Sequence, residues 1–318
     1  MRGSRRRNAP QEASRKATPR SDSPLRQGLV ISHLGKGLAV ESLEGEIILC
    51  HTRRRLGDAA VGDRVLWSPC EGDQGRVEEV LPRISVLTRP GYAGKIRCVA
   101  ANLDRVFVVV APSPEPDLLL VDQYLAVCEH RRIPAEIVLN KTDLAGAQAA
   151  GALTDYERIG YPLHRVSAKA AIGLDELKQS LQHHCSMLAG QSGVGKSSLT
   201  NALLPDKNLR TGEISEKSGL GRHTTTAATL YHLPEGGDLI DSPGVAVFGL
   251  AEMSGQSLAW GYREFQEYIP RCQFNDCRHI RDKGCAVREA VEAGAISAAR
   301  YERFLKLLDK LASPDDPV

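Results

Sequence analysis

Between Gln27 and Arg89 apolar residues come in short runs broken by glycine and charge: GLVISHLG, KGLAVES, GEIILC, VGDRVLW, GRVEEVL and RISVLTR. Several strand-like runs at such close spacing predict a small closed β-barrel. A five-stranded oligonucleotide-binding (OB) barrel is the commonest such object, and an SH3-like barrel or a sandwich has the same pattern. LDRVFVVVAP (103–112) is a near-continuous apolar run, as expected of a strand buried on both faces of a parallel sheet. Helix-like and strand-like segments then alternate. VDQYLAVCEHRR, GLDELKQSLQHH and KSSLTNALL read as helices, while AEIVLN, LHRVS, CSMLAG, AATLYHL and GDLID read as strands. That alternation predicts an α/β domain with helices on both faces of its sheet. After Gly249 the segments SLAWGYREFQEY, AVREAVEAG and SAARYERFLKLLDKL read as helical, and SPDDPV reads as a frayed end. The chain therefore divides into a tail (1–26), a barrel (27–89), an α/β domain (97–250) and a small helical domain (251–318).

Composition narrows the class. Hydrophobic residues are 42% and charged residues 25% of the 318, the balance of a soluble globular protein, and no apolar run reaches the 18 or more residues of a membrane span. The N-terminus is basic but lacks the apolar stretch of a secretory signal, so a cytoplasmic location is expected. The net charge of +2 is uneven: Met1–Arg26 holds seven Arg and one Lys against Glu12 and Asp22. Without hydrophobic periodicity that stretch is expected to be disordered, either as an inert solvated tail or as an arm that neutralises nucleic-acid phosphates. Arg53, Arg54 and Arg55, in an expected barrel loop, lean toward a phosphate partner. Cys50, Cys70, Cys98, Cys128 and Cys185 stand singly and read as ordinary buried or half-buried residues.

Gly190-Gln191-Ser192-Gly193-Val194-Gly195-Lys196-Ser197 satisfies GxxxxGK[ST], with a predicted strand before it and a predicted helix after it. In that setting backbone N–H groups, Ser198 included, can wrap phosphates at a helix N-terminus. Lys196 reaches toward the β- and γ-phosphates, and Ser197 offers a hydroxyl to Mg²⁺. Asn140-Lys141-Thr142-Asp143 ends another predicted strand. The aspartate can accept two hydrogen bonds from guanine N1–H and its 2-amino group, a donor pair adenine lacks. Asn140 suits the neighbouring loop and the N7/O6 side of the base, and the Lys141 stem suits the ring face. Ser167-Ala168-Lys169 ends the next strand and brings a backbone N–H toward O6. These elements resemble the NKxD and SAK motifs of the translation-factor class of GTPases.

Asp241-Ser-Pro-Gly244 fits DxxG, with Asp241 directed to Mg²⁺ and the Gly244 N–H to the γ-phosphate. Thr225, with Thr224 as the alternative, is the expected switch ligand of Mg²⁺. The residue after DxxG is Val245, which cannot orient a water molecule, and His223 is the nearest imidazole able to take that role. Slow intrinsic hydrolysis and an activating partner follow. The motifs run NKTD, SAK, phosphate loop, TTT, DSPG, which is a circular permutation of the ordinary order. The segment after DSPG then leads directly into the C-terminal domain. There, Cys272-x₄-Cys277-x-His279-x₅-Cys285 supplies three thiolates and an imidazole, a donor set for one tetrahedral structural Zn²⁺.

The permuted order, the preceding barrel, the phrases GQSGVGKSSL, GRHTTT and DSPG, and the CxxxxCxHxxxxxC spacing together resemble the RsgA (YjeQ) family of ribosome small-subunit-dependent GTPases over about residues 27–311. The resemblance implies an OB barrel, a permuted GTPase domain and a C-terminal zinc-binding helical domain. It also implies hydrolysis of GTP to GDP, ribosomal RNA held by barrel and zinc domain, and action in late maturation of the small ribosomal subunit, which stimulates turnover. A monomer without membrane contact is expected. Gly193 stands where potassium-dependent relatives carry asparagine, so no structural potassium is expected. Two other readings remain: a GTP-driven metallochaperone with the Cys/His cluster as cargo site, and an RNA-binding module with GTP as a structural ligand.

Overall fold

The computed structural model describes residues 24–34, 37–52, 59–90, 96–144, 151–204, 228–242 and 249–312. Five strands, β1 (Arg26–Leu34), β2 (Gly37–Ser42), β3 (Ile47–Thr52), β4 (Arg64–Pro69) and β5 (Gln74–Val80), make the N-terminal barrel. β1 pairs with both β2 and β4, and β3 runs parallel to β5, so the order β1-β2-β3-β5-β4 closes on itself, the connectivity of an OB barrel. Closure leaves an interior filled by Val30, Leu38, Val40, Cys50, Val65, Trp67 and Val77.

RISVLTR leaves the barrel. Its β6 (Val86–Pro90) pairs with β7 (Ile96–Ala101) in a separate two-stranded ribbon, and Leu87 joins the core of the following domain. Among the described residues the five strands close on one another without β6. Arg83, just before β6, forks onto the buried Asp63 carboxylate with two 2.7 Å contacts, which pins the ribbon's start to the barrel.

The central sheet runs β10 (Leu163–Arg165), β9 (Ala135–Leu139), β8 (Arg105–Val110), β11 (Cys185–Ala189), β13 (Asp238–Asp241), β12 (Thr229–His232). All pairings are parallel except the edge strand β12, which is antiparallel to β13. Along β8 the alternation sends Phe107 and Val109 to one face, under α3 (Leu174–Leu181) and α4 (Lys196–Leu203). Val106, Val108 and Val110 face the other way, beneath α1 (Leu118–Arg131) and the C-terminal domain. A short helix, α2 (Thr154–Arg158), went unread in the sequence because its one buried residue, Tyr156, gives no period.

The C-terminal domain is α5 (Gly255–Trp260), two 3₁₀ turns at Arg263–Phe265 and Ile269–Arg271, α6 (Ala286–Glu292) and α7 (Ala298–Ala312). The helix expected over SLAWGYREFQEY stops at Trp260. At Gly261 the chain passes so close to α1 that an added Cβ would lie 2.8 Å from the Ala126 carbonyl oxygen. Tyr262, Phe265 and Phe304 then form an aromatic core with ring centroids 5.0–5.4 Å apart. No helix among the described residues is long and apolar enough to cross a membrane. All eight cysteines are free, and Cys70 is exposed rather than half-buried.

The barrel attaches to the edge strand β12. Ser32 of β1 is in register with Thr229, and the Ser32 hydroxyl donates to the Ala228 carbonyl at 3.1 Å. One step along, His232 lies between Glu41 of the barrel (2.6 Å) and Asp238 of β13 (2.5 Å), and the hydrogen bond to Asp238, then that to Glu41, raises its pKa from 6.5 to about 9. A raised cationic pKa stabilises the fold fully below about 6.5, and that stabilisation is lost as pH climbs through about 9. The imidazole is 40% exposed, so the contribution is discounted to roughly 1 kcal/mol. The native chain is expected to melt a few degrees above His232→Gln at pH 6.5 and level with it at pH 10; a gap that persists at pH 10 contradicts the charged bridge.

Candidate nucleotide and metal sites

Three loops converge at the carboxyl ends of the central strands, where open α/β sheets bind ligands. The phosphate loop, Gly190–Ser197, leaves β11 and enters α4. Its glycines are obligatory for contact reasons as well as conformation. Gly190 (φ +142°) passes 2.3 Å, measured from a notional Cβ, from the Val109 carbonyl oxygen, and Gly195 (φ +95°) lies 2.4 Å from the Asn140 side-chain nitrogen. Val194 is buried beneath the loop, and Ser192, Ser197 and Ser198 are exposed on it.

Asn140 is 1% exposed and joins all three loops: its Nδ2 donates to the Val194 carbonyl (2.9 Å) and its Oδ1 accepts from the Ala168 N–H (3.1 Å). Lys141, at φ +61°, extends across the phosphate loop and donates from Nζ to the carbonyls of Gly193 and Ser113, both at 2.7 Å. The Thr142 N–H bonds the Val166 carbonyl. Asp143 is exposed, and the Ser167 hydroxyl donates to its Oδ1 at 2.6 Å. That bond is the main reason its pKa lies below the ordinary aspartate value, with Lys169 and Lys141 adding in the same direction. A carboxylate fixed by one oxygen and open to solvent at the other is suited to accept from a donor-bearing base edge.

On the phosphate side, the Lys196 ammonium donates to the Gly190 (2.7 Å) and Gln191 (2.8 Å) carbonyls. Burial lowers its pKa, and the charge of Asp241 at the end of β13 opposes that shift. Lys196 and Asp241 are thus electrostatic neighbours, as a phosphate-binding cation and a metal-directed carboxylate need to be. His223, Thr224, Thr225, Gly244, Val245 and the arginines 53–55 lie outside the described residues, as does the tail up to residue 23.

One wall of this site carries no motif. Segment 113–117, between β8 and α1, lies along the phosphate loop: a Cβ added at Gly193 would lie 3.4 Å from Pro114 Cδ, and the Gln191 side chain bonds backbone groups of Glu115 and Asp117. A proline-acidic run after a buried strand was its only trace.

The second site lies in the C-terminal domain. The ligand atoms of Cys272, Cys277, His279 and Cys285 all lie within 4.8 Å of one another, and three of these residues are under 8% exposed. His279 turns Nδ1 to the sulfurs, 3.4 Å from Cys285 and 3.7 Å from Cys272. Tetrahedral Zn²⁺ with Zn–S near ~2.3 Å needs sulfur–sulfur edges of about 3.8 Å, so this donor set fits the ion after slight contraction. Tyr301 of α7 donates to the His279 carbonyl at 2.6 Å, which supports the ligand residue at φ +60°.

Comparison with known proteins agrees with this architecture. A family model described as RsgA GTPase matches residues 80–251. The "Small ribosomal subunit biogenesis GTPase RsgA" of Actinobacillus pleuropneumoniae is 45% identical over 293 residues, covering 90% of this chain and 85% of the relative. The protein of the same name from Histophilus somni is 43% identical over 296 residues, covering 91% and 85%. Among solved structures, YjeQ from Thermotoga maritima superposes with a TM-score of 0.73 at 35% identity, covering 91% of this chain and 99% of that one. YloQ, described as a circularly permuted GTPase, superposes with a TM-score of 0.69 at 24% identity, covering 95% and 100%, and so shares the fold.

Proposed function

This chain belongs to the RsgA GTPase family, and from that premise we propose that it hydrolyses GTP while bound to the small ribosomal subunit, late in that subunit's maturation. The observation that carries this reading is the Asn140 amide, which joins the base-side loop at Ala168 to the phosphate loop at Val194 and so makes one guanine-nucleotide site of the motifs. Asp143 selects the base, Ser167 orients that carboxylate, and Ala168 offers its neighbourhood to O6. Lys196 and the N–H groups of 190–198 hold the phosphates. Ser197, Thr225 and Asp241 would hold Mg²⁺, which would supply positive charge to offset that of the phosphates. His223 positions the attacking water; a His223→Ala chain that keeps full stimulated turnover removes it from that role. The chain is expected to act in the cytoplasm, as a monomer.

Barrel and C-terminal domain flank the GTPase domain, and both would hold ribosomal RNA. Cys272, Cys277, His279 and Cys285 would hold Zn²⁺ structurally, since a buried, complete donor set suits an ion that stays rather than a cargo that leaves. Lys196→Ala is expected to cut turnover at least about 100-fold, because it removes a charge aimed at the developing negative charge. Sedimentation tests the partner: with a non-hydrolysable GTP analogue the chain is expected to pellet with purified small subunits and not with large ones. Equal pelleting with both, or with neither, contradicts the proposal.

A further inference from the structure

Helix α1 is buried from Val121 to Cys128, because the sheet covers one side and the C-terminal domain the other. A helix covered on both sides has little need of polar groups, yet α1 carries Asp122 and Tyr124 at its centre. Each reaches a different part of the molecule. The Asp122 carboxylate, fully buried, accepts from Arg300 Nη1 (2.6 Å) and Arg303 Nε (2.5 Å) on α7, and from the Tyr156 hydroxyl (2.6 Å). Arg300 also pairs with Glu264 of the first 3₁₀ turn. Two residues on, the Tyr124 hydroxyl faces the backbone N–H of Gly190, the first residue of the phosphate loop, whose partial positive charge opposes the burial that raises the tyrosine's pKa.

The N-terminal end of α1 holds the same loop a second time. Gln191 Oε1 accepts from the Asp117 N–H (2.7 Å), and its Nε2 donates to the Glu115 carbonyl (2.9 Å). Asp117 is itself the N-cap of α1, its carboxylate accepting from the Leu120 N–H at 3.0 Å. With its amide committed at both ends, Gln191 has a role in loop geometry rather than in contact with a ligand. A glycine-rich loop needs such support, since its own backbone has few restraints and its N–H groups must converge.

We propose that α1 is a strut between the phosphate loop and the zinc-binding domain, with Gln191 and Tyr124 as positioning residues that make nucleotide release depend on how α7 sits against Asp122. A partner that shifts the C-terminal domain thereby changes the lifetime of bound nucleotide, by a route separate from the chain segment that follows Asp241. The proposal rests on the reading of residues 190–197 as the phosphate site. Linkage makes the effect reciprocal: nucleotide that orders the loop also steadies α7.

The test is the dissociation rate of a fluorescent GDP from the full chain, chased by unlabelled GDP, in four forms: native, Gln191→Leu with Tyr124→Phe, Arg303→Met, and all three together. Arg303→Met leaves Asp122 paired with Arg300, so no buried charge is stranded. The loop pair is expected to release GDP about tenfold faster, the effect of losing a few hydrogen bonds at the loop. Arg303→Met is expected to speed release about threefold in the native loop and to add nothing to the loop pair, the signature of coupled sites. Gln191→Leu alone, at a half-exposed loop position, supplies the loop readout if Tyr124→Phe lowers the melting temperature. Unchanged release in the loop variants, or an Arg303→Met effect that multiplies equally in both backgrounds, overturns the strut. A native chain that does not bind GDP overturns instead the nucleotide reading on which it rests.

Discussion

Asp143→Asn is expected to lower kcat/KM for GTP by about 10³-fold and to bring XTP to within about tenfold of the native GTP value. In the proposed site the carboxylate would face two donors on guanine, N1–H and the 2-amino group. With asparagine, the side-chain NH₂ meets the guanine amino group, and two donors confront each other without water between them. Such mismatches of buried polar groups are worth about 10⁴–10⁵-fold in discrimination where the site is well ordered. Xanthine carries an oxygen in place of the 2-amino group, so the same asparagine finds an acceptor. The framework survives the change, because Ser167 donates to Oδ1, an atom asparagine keeps. Steady-state kinetics with both nucleotides check the result, and GTP activity unchanged in the variant contradicts the assignment of Asp143 to the base.

Loss of the metal is expected to cost more than any single contact. Among the described residues, 272–285 contain no helix or strand between the Ile269–Arg271 turn and α6, so four side chains and a few backbone bonds hold that loop. A structural Zn²⁺ contributes roughly 10–16 kcal/mol of apparent binding free energy in small domains, comparable to the whole stability of one. Cys277→Ser, or a strong chelator at 37 °C, is therefore expected to unfold the C-terminal domain and expose its Tyr262, Phe265 and Phe304 core. Elemental analysis is expected to give one zinc per native chain and none in the variant. A cooperative native melt in metal-free protein contradicts a structural site. The damage is expected to spread to α1, since Asp122 loses its pairs with Arg300 and Arg303 when α7 detaches and the side of the helix that α7 covered opens to water.

What could be read from the chain was what is local. VFVVV announces a strand buried on both faces because each of its residues reports the same environment. The phosphate loop announces itself because glycine is demanded at fixed offsets, and the Cys/His cluster because four ligands fall within fourteen residues. The permutation is equally legible, since motif order is sequence order. Features that depend on distant partners stayed hidden. Asp122 looks like a polar break in an apolar helix until Arg300, 178 residues later, is seen against it. Gln191 looks like a variable loop residue until its amide is found on Glu115 and Asp117. RISVLTR has a strand's pattern, but no pattern says which sheet a strand joins, and it pairs with β7 instead of a barrel strand. The helix through Gly261 failed for a related reason: close approach to α1 is a tertiary fact.

Whether the small ribosomal subunit is the activator is decided by GTP turnover of the purified chain alone, with small subunits and with large subunits. Turnover of the chain alone is expected to be slow, because Val245 cannot orient water where many GTPases carry glutamine. Strong stimulation, of at least about tenfold, is expected from small subunits only. Turnover that small subunits leave unchanged, or that large subunits raise equally, would contradict that role.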